Sequence, residues 1–137
     1  MASLSILYEN PEGSKPAQGL YSNAGYVQNG GYRFIAGQLS VGGDGEIVGV
    51  GDFAAQFEQV FDSIEAILRG MGGSAASVIK FTTYVTDRAY IEPFMQLRAA
   101  RFPKMYPDEV YPPNTLLIVN GLVKAEFLIE VEAVVAI

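Results

Sequence analysis

The stretch from Phe127 to Ala136, FLIEVEAVVA, carries the clearest structural signal in the chain. Successive residues of a β-strand point to opposite faces, so this strand has two distinct sides. One side is an unbroken apolar row of Phe127, Ile129, Val131, Ala133 and Val135. The other side is apolar at both ends with two carboxylates between: Leu128, Glu130, Glu132, Val134 and Ala136. Such a side predicts an oligomer interface with a polar site set into it rather than a solvated surface.

The apolar row needs a cover, and two helices are predicted to supply it. From Phe53 to Leu68 the apolar residues recur at the 3.6-residue period of an amphipathic helix, with Asp52 as a plausible N-cap. The glycine-rich run 70–73 ends this helix. A second helix is predicted from about Ala89 to Phe102, followed by a proline-rich irregular loop beginning at Pro103. Both helices can lie on one face of a sheet.

The remaining strands follow from β-branched and aromatic runs bounded by turn residues. Residues 25–28 and 32–36 flank Asn29-Gly30, a strong hairpin signal, and residues 42–45 form a second turn leading into a strand at 46–49. Further strands are predicted at 78–86 and 115–119, whereas residues 9–19 read as a loop. The predicted order is β-β-β-α-β-α-β-β, an α+β fold with two helices on one face of a mixed sheet, in a single domain spanning residues 1–137.

Composition narrows the possible chemistry of this chain of 137 residues. The chain has no cysteine and no histidine, which excludes a disulfide scaffold, a thiol nucleophile, a Ser-His-Asp triad and an ordinary zinc site. Nine basic residues against 15 acidic ones give a net charge of −6, which argues against general nucleic-acid binding. No apolar run approaches a membrane span, and residues 1–5 do not resemble a secretory signal, so a cytoplasmic protein is expected.

Four segments carry side chains suited to a binding site. Glu130 and Glu132 lie on one strand face within about 7 Å of each other, which raises the pKa of one carboxyl group and suits it to acid, base or water-holding roles. A solvated or salt-bridged pair is the simpler interpretation. Tyr21 can close a pocket from its loop, or only pack on that loop. Gly37 at a strand end allows close approach of a ligand to the backbone, or marks a bulge. Asn114 before a strand is equally well explained by turn chemistry.

Together these motifs resemble a known family. Five segments are similar, in the same order, to motifs of the RidA family (also called YjgF or L-PSP endoribonuclease-like). They are Tyr21-Ser22-Asn23-Ala24, Phe34 to Gln38, the helix from Gln56 to Leu68, the strand from Val78 to Asp87 and the ending from Ile129 to Ala136. The resemblance implies a βββαβαββ chorismate-mutase-like domain that forms a homotrimer, with the sheets lining a central barrel and the helices outside. Its ligand sites lie in the clefts between subunits. Characterised members hydrolyse reactive enamines and imines such as 2-aminoacrylate to keto acids and ammonia, with no metal or organic cofactor.

The resemblance also assigns roles to individual residues. Glu130 corresponds to the glutamate that holds the attacking water, and Tyr21 and Gly37 to residues lining the pocket. Three positions depart from the family pattern: the serine before the glycine is Ala36, the substrate-binding arginine is Asn114, and a frequent cysteine is Leu116. The loss of the arginine is the serious change, because a guanidinium holds a carboxylate through two hydrogen bonds and an amide cannot.

The expected function is therefore a RidA-like homotrimer that binds a small polar metabolite in three intersubunit clefts and hydrolyses an enamine, an imine or a related C–N bond. A non-enzymatic binding or regulatory trimer is the alternative, and a ribonuclease is disfavoured by the acidic charge. Glu130 rather than Glu132 is expected to face the cleft, with Glu132 tied up by hydrogen bonds. Either Asn114 reads a neutral ligand group, or Arg98 supplies the missing cation from the second helix. The first is preferred because Arg98 would have to cross the sheet edge, and its simpler role is to cover the core with its stem.

Overall fold

The computed structural model describes residues 6–17, 20–27 and 31–137. The strands are β1 (Ile6–Glu9), β2 (Ala24–Val27), β3 (Tyr32–Gln38), β4 (Val78–Val85), β5 (Asn114–Ile118) and β6 (Ile129–Ala136). The helices are α1 (Phe53–Gly70) and α2 (Ile91–Met105), with short 3₁₀ turns at Ala75–Ser77 and Arg88–Tyr90. The six strands form one sheet in the order β1-β2-β3-β6-β4-β5. Only β4 and β5 run parallel, because α2 carries the chain back between them. This is the predicted α+β fold, with a mixed sheet.

Both helices cover the same face of the sheet, and the core lies between. The α1 helix starts where Asp52 accepts a hydrogen bond from the Ala55 amide at 3.0 Å, so the predicted cap is present. Phe61 of α1 and Phe102 of α2 both pack against Phe81 of β4, with ring centroids 5.7 and 5.9 Å away. The predicted apolar row of β6 is completely covered: Phe127, Ile129, Val131, Ala133 and Val135 are all buried.

The opposite face of the sheet is only partly covered within one chain. Glu130, Glu132 and Val134 of β6 are half-buried there, and Phe34 of the neighbouring β3 is 54% exposed. Leu117 of β5, which pairs with Tyr84 of β4, is also exposed on this face. The open face is therefore apolar at its margins and carboxylate-bearing at its centre, as the alternation in β6 predicts.

Three predictions about the elements need correction. An unpredicted strand, Ile6–Glu9, opens the sheet. The strand predicted at 46–49 does not form, because only Val41 and Ile47 make an isolated bridge there. The α2 helix continues through Pro103 to Met105, because a proline in the last turn removes only one backbone hydrogen bond. The predicted Asn29-Gly30 turn lies outside the described residues.

No helix in the described part of the chain is long and apolar enough to cross a membrane.

Candidate functional site

The centre of the open face is a contact between Gly37 and Glu130. The register of β3 against β6 shifts between Ile35 and Gln38, so Gly37 lies in an irregular stretch of β3. A Cβ atom built on Gly37 would overlap the Oε1 atom of Glu130. A larger residue at position 37 would therefore have to displace the Glu130 side chain, and the expected bulge is present as a register irregularity.

Tyr21 lies beside this contact at the end of the loop that precedes β2. It lines a cavity of about 560 Å³ with Ala36 and Glu132, and it borders a void of only about 10 Å³ with Gly37. The loop is held by buried polar contacts. The Asn23 carbonyl accepts from the Ala36 amide at 2.9 Å, and the Gln38 side chain donates to the Asn23 side chain at 3.2 Å. These bonds fix Tyr21 next to the irregular stretch of β3.

The two carboxylates of β6 differ in their partners. Glu132 accepts a hydrogen bond from the Tyr84 hydroxyl at 2.6 Å, and this bond is the main cause that raises the pKa of Tyr84 to about 12. Among the described residues none donates a hydrogen bond to the Glu130 side chain. Burial, and secondly the charge of Glu132, raise the pKa of Glu130 above its ordinary value.

Glu132 is thus hydrogen-bonded as expected, but Glu132 and not Glu130 lines the cavity with Tyr21, which is the reverse of the expected placement. The reason is the strand period, which puts both carboxylates on one face. The same period on β4 puts Tyr84 opposite Glu130, with Thr82 opposite Glu132. Sequence reasoning missed Tyr84, although its position in an alternating strand was the available signal.

Asn114 and Leu116 lie on the other side of the sheet. Asn114 pairs with Phe81 of β4 and Leu116 pairs with Thr83, so both share the face that the helices cover. The Thr83 hydroxyl donates to Asn114 Oδ1 at 2.8 Å, and Leu116 packs against the main core. Thr83 was not singled out from the sequence because its role depends on a strand pairing between distant segments.

Asn114 and Arg98 line the same cavity of about 520 Å³ between α2 and the segment that precedes β5. Arg98 therefore reaches Asn114 within one chain, since α2 and Asn114 lie on the same side of the sheet. That Arg98 would have to cross the sheet edge to enter a cleft between subunits stays a prediction. The Arg98 guanidinium carbon lies 5.1 Å from the centre of the Phe94 ring, which fits the expected packing of its stem over the core.

The candidate residues thus fall into two groups in one chain. The open-face group contains Tyr21, Ala36, Gly37 and Glu130, and the helix-side group contains Asn114 and Leu116. The sheet separates the two groups, so one chain alone does not bring them together. In the described ranges no three carboxylates are arranged to share a metal ion.

The family model described as Endoribonuclease L-PSP matches residues 12–137, which contain the strands β2 to β6, both helices and every candidate residue. The chain belongs to this family, the RidA/YjgF family. Its similarity to individual members extends over most of the sequence. It is 37% identical over 117 residues to a RutC family protein of Pyrococcus horikoshii, covering 85% of this chain and 86% of that one.

The chain is also similar to a RutC deaminase in sequence and to a RidA protein in structure. The chain is 32% identical over 124 residues to the 3-aminoacrylate deaminase RutC of Acinetobacter baylyi, covering 90% of this chain and 92% of the other. The crystal structure of RidA from an Antarctic Psychrobacter species superposes with a TM-score of 0.81 at 30% identity, covering 96% of this chain and 99% of that one. The fold and family predicted from the motifs are therefore confirmed.

Proposed function

We propose that this chain is a deaminase that hydrolyses a small enamine or imine, with the Glu130 carboxylate holding the attacking water. The observation that carries this proposal is the state of Glu130, which is half-buried against Gly37 with no hydrogen-bond partner in the described part of the chain. A carboxyl group in that state is available to a water molecule. Membership of a family that includes a 3-aminoacrylate deaminase supports the choice of reaction.

The reaction needs one water and no redox partner. The enamine first tautomerises to the imine, and water then adds to the carbon of the C=N bond. Glu130 accepts a proton from this water and passes it to the nitrogen, which gives a carbinolamine. Glu130 then carries the hydroxyl proton of the carbinolamine to the same nitrogen, so that the C–N bond breaks, ammonia leaves and a carbonyl remains. A raised pKa suits this exchange, because an acid–base group works best when its pKa approaches the working pH.

Glu130 is preferred to Glu132 because the partners of the two carboxylates differ. Glu132 is engaged by the Tyr84 hydroxyl at 2.6 Å, so one of its oxygens is already occupied. We further propose that Gly37, which contacts Glu130, and Tyr21 and Ala36, which line the adjacent cavity with Glu132, form the wall of the substrate pocket. Tyr21 is then a hydrogen-bond donor from its loop.

The complete site is proposed to form between subunits of a homotrimer in the cytoplasm. In this arrangement the open-face group of one subunit meets the helix-side group, Asn114 and Leu116, of its neighbour. Two observations support it: the sheet separates the two groups within one chain, and the open face exposes large apolar side chains such as Phe34 at its margins.

The test is ammonia release from 2-aminoacrylate and from 3-aminoacrylate, each generated in the assay, compared with spontaneous hydrolysis. Glu130→Gln is expected to lower kcat at least about 100-fold, the usual contribution of an acid–base group. Glu126→Gln, which removes an exposed carboxylate near the start of β6, is the matched control and should leave kcat unchanged. Full activity in Glu130→Gln would contradict the proposal.

A non-enzymatic binding protein is the second candidate, and the neutral Asn114 at the family's arginine position favours it. Absence of turnover on both enamines, together with saturable ligand binding, would establish this alternative. Ribonuclease activity is less favoured because the net charge is −6 and phosphate contacts need clustered cations. A salt-dependent RNA-binding titration would reveal it.

A further inference from the structure

The hydroxyl group of Tyr84 distinguishes the two carboxylates of β6. Tyr84 stands directly opposite Glu130 in the antiparallel ladder of β4 and β6, yet its hydroxyl donates to Glu132 Oε1 at 2.6 Å. The bond therefore runs diagonally across the ladder, a distance of about 7–8 Å between strand positions that a long aromatic side chain can span. The strand period alone makes Glu130 and Glu132 alike, and Tyr84 makes them different.

Lys80 offers the Glu132 carboxylate a second partner on the same face. Lys80 and Glu132 line a cavity of about 220 Å³, and this exposed lysine makes no ion pair with any described residue. Besides Lys80 and Tyr84 of β4, the titratable group of the described chain that lines a cavity with Glu132 is Tyr21. Without the Tyr84 hydroxyl, the Glu132 side chain is free to turn towards Lys80 and away from Glu130.

We propose that Tyr84 is a positioning residue for the proposed hydrolysis: its hydroxyl holds the Glu132 carboxylate in place and leaves Glu130 as the carboxyl group that exchanges protons with water. The inference rests on the proposed function, to which it adds a residue. Burial first, and the charge of Glu132 second, raise the pKa of Glu130. The bond from Tyr84 keeps this second charge in place beside Glu130, so Tyr84 acts through Glu132 and not by contact with substrate.

The direct test measures the pKa of Glu130 by NMR titration of the full chain, with glutamate labelled at the carboxyl carbon. The Glu130 signal is assigned by its loss in Glu130→Gln. Tyr84→Phe keeps the ring and removes only the hydroxyl, so the pKa of Glu130 should fall as Glu132 turns away. Tyr32→Phe is the matched control, because Tyr32 is an exposed tyrosine at the start of β3, and it should change nothing. An unchanged or higher pKa of Glu130 in Tyr84→Phe would overturn the inference.

A double-mutant cycle shows whether Tyr84 acts through Glu132. Glu132→Gln removes the charge and should by itself lower the pKa of Glu130. In the Glu132→Gln background, Tyr84→Phe should then cause no further fall. An equal fall in both backgrounds would overturn the inference, because Tyr84 would then act on Glu130 directly.

The kinetics separate this inference from the proposed hydrolysis. With an enamine substrate, Tyr84→Phe should lower kcat about three- to tenfold, the equivalent of one hydrogen bond, with KM unchanged because the hydroxyl touches no substrate. The acidic limb of its pH profile should move to lower pH together with the pKa of Glu130. No turnover in the wild type, with the expected pKa changes, removes the hydrolysis and keeps the control of Glu130 by Tyr84. Turnover with a wild-type kcat and pH profile in Tyr84→Phe does the reverse.

Discussion

The two faces of the sheet use the same strands for different purposes. On the helix-covered face, Ile129, Val131 and Val135 of β6 are fully buried among aromatic rings. On the open face, Glu130 and Glu132 of the same strand are half-buried beside a glycine and a tyrosine hydroxyl. The two-residue period of a strand therefore assigns stability to one set of residues and chemistry to the other. Substitutions on the helix-covered face should therefore change stability, whereas substitutions on the open face should change the chemistry of the site or assembly.

The largest expected effect is on the helix-covered face. Phe61 is fully buried and its ring packs against those of Phe57, Phe81 and Phe102. Phe61→Ala should lower the free energy of unfolding by about 3–5 kcal/mol, because it leaves a cavity among these rings. Denaturant titration measures this change.

The matched variant on the open face is Phe34→Asp, which should change assembly rather than stability. The mass measured by light scattering should fall from about three chains towards one 14.8-kDa chain. Wild-type assembly in Phe34→Asp would contradict this difference between the faces.

The next effect concerns the close contact on the open face. Gly37→Ala forces a methyl group into the space of the Glu130 carboxylate, so we expect a loss of about 1–3 kcal/mol in unfolding free energy and of most deaminase activity. Gly43→Ala is the control, because a Cβ there meets nothing within 4 Å. The comparison would fail if the two variants unfolded at the same denaturant concentration.

A smaller effect is expected at the outer surface of the helices. Arg101 of α2 binds three carboxylates of α1, with nitrogen–oxygen distances of 2.6 Å to Glu58, 2.8 Å to Asp62 and 2.5 Å to Glu65. Arg101→Met should cost about 1–2 kcal/mol, since the carboxylates are partly exposed. Their mutual repulsion remains, so added salt should recover part of the loss by screening. Thermal unfolding at low and high salt checks this, and a loss that salt does not change would rule out repulsion as its cause.

The smallest expected effect is a gain in the free energy of unfolding rather than a loss. The raised pKa of Glu130 means that the folded chain keeps this proton to higher pH than the unfolded chain. Its contribution to stability is therefore complete below the ordinary value of 4.5 and declines as pH rises through the raised pKa. Glu130→Gln should unfold at a higher denaturant concentration than wild type near neutral pH, with no difference at acidic pH. Glu126→Gln should show no such trend; a Glu130→Gln advantage that grows at low pH would reverse the assigned sign.

The sequence predicted the helix-covered face well because its signals are local. The period of α1, its Asp52 cap and the alternation in β6 are each contained in one segment. The β1 strand was missed because Ile6–Glu9 is only four residues long and is defined by its pairing with β2, which no short window reveals. The prediction of a strand at 46–49 was wrong for a related reason: these residues have no partner strand, and a short sequence window does not reveal that.

The candidate site was predicted in its residues but not in its arrangement. The motifs selected Tyr21, Gly37 and Glu130, but the contact between Gly37 and Glu130 depends on a register shift between β3 and β6. The position of Asn114 on the opposite face depends on its pairing with Phe81, and its proximity to Arg98 on the packing of α2. Each of these is a contact between distant segments, which residue type and spacing alone do not determine.

The central claim is that the active site combines the open face of one subunit with the helix side of another. Its most direct test is subunit complementation. Glu130→Gln and Asn114→Asp, each expected to be inactive alone, are unfolded, mixed in equal amounts and refolded together. Random assembly gives about a quarter of the clefts both native residues, so the mixture should recover about a quarter of the ammonia release of refolded wild type. No recovery in the mixture, with full activity in the refolded wild type, would contradict the claim.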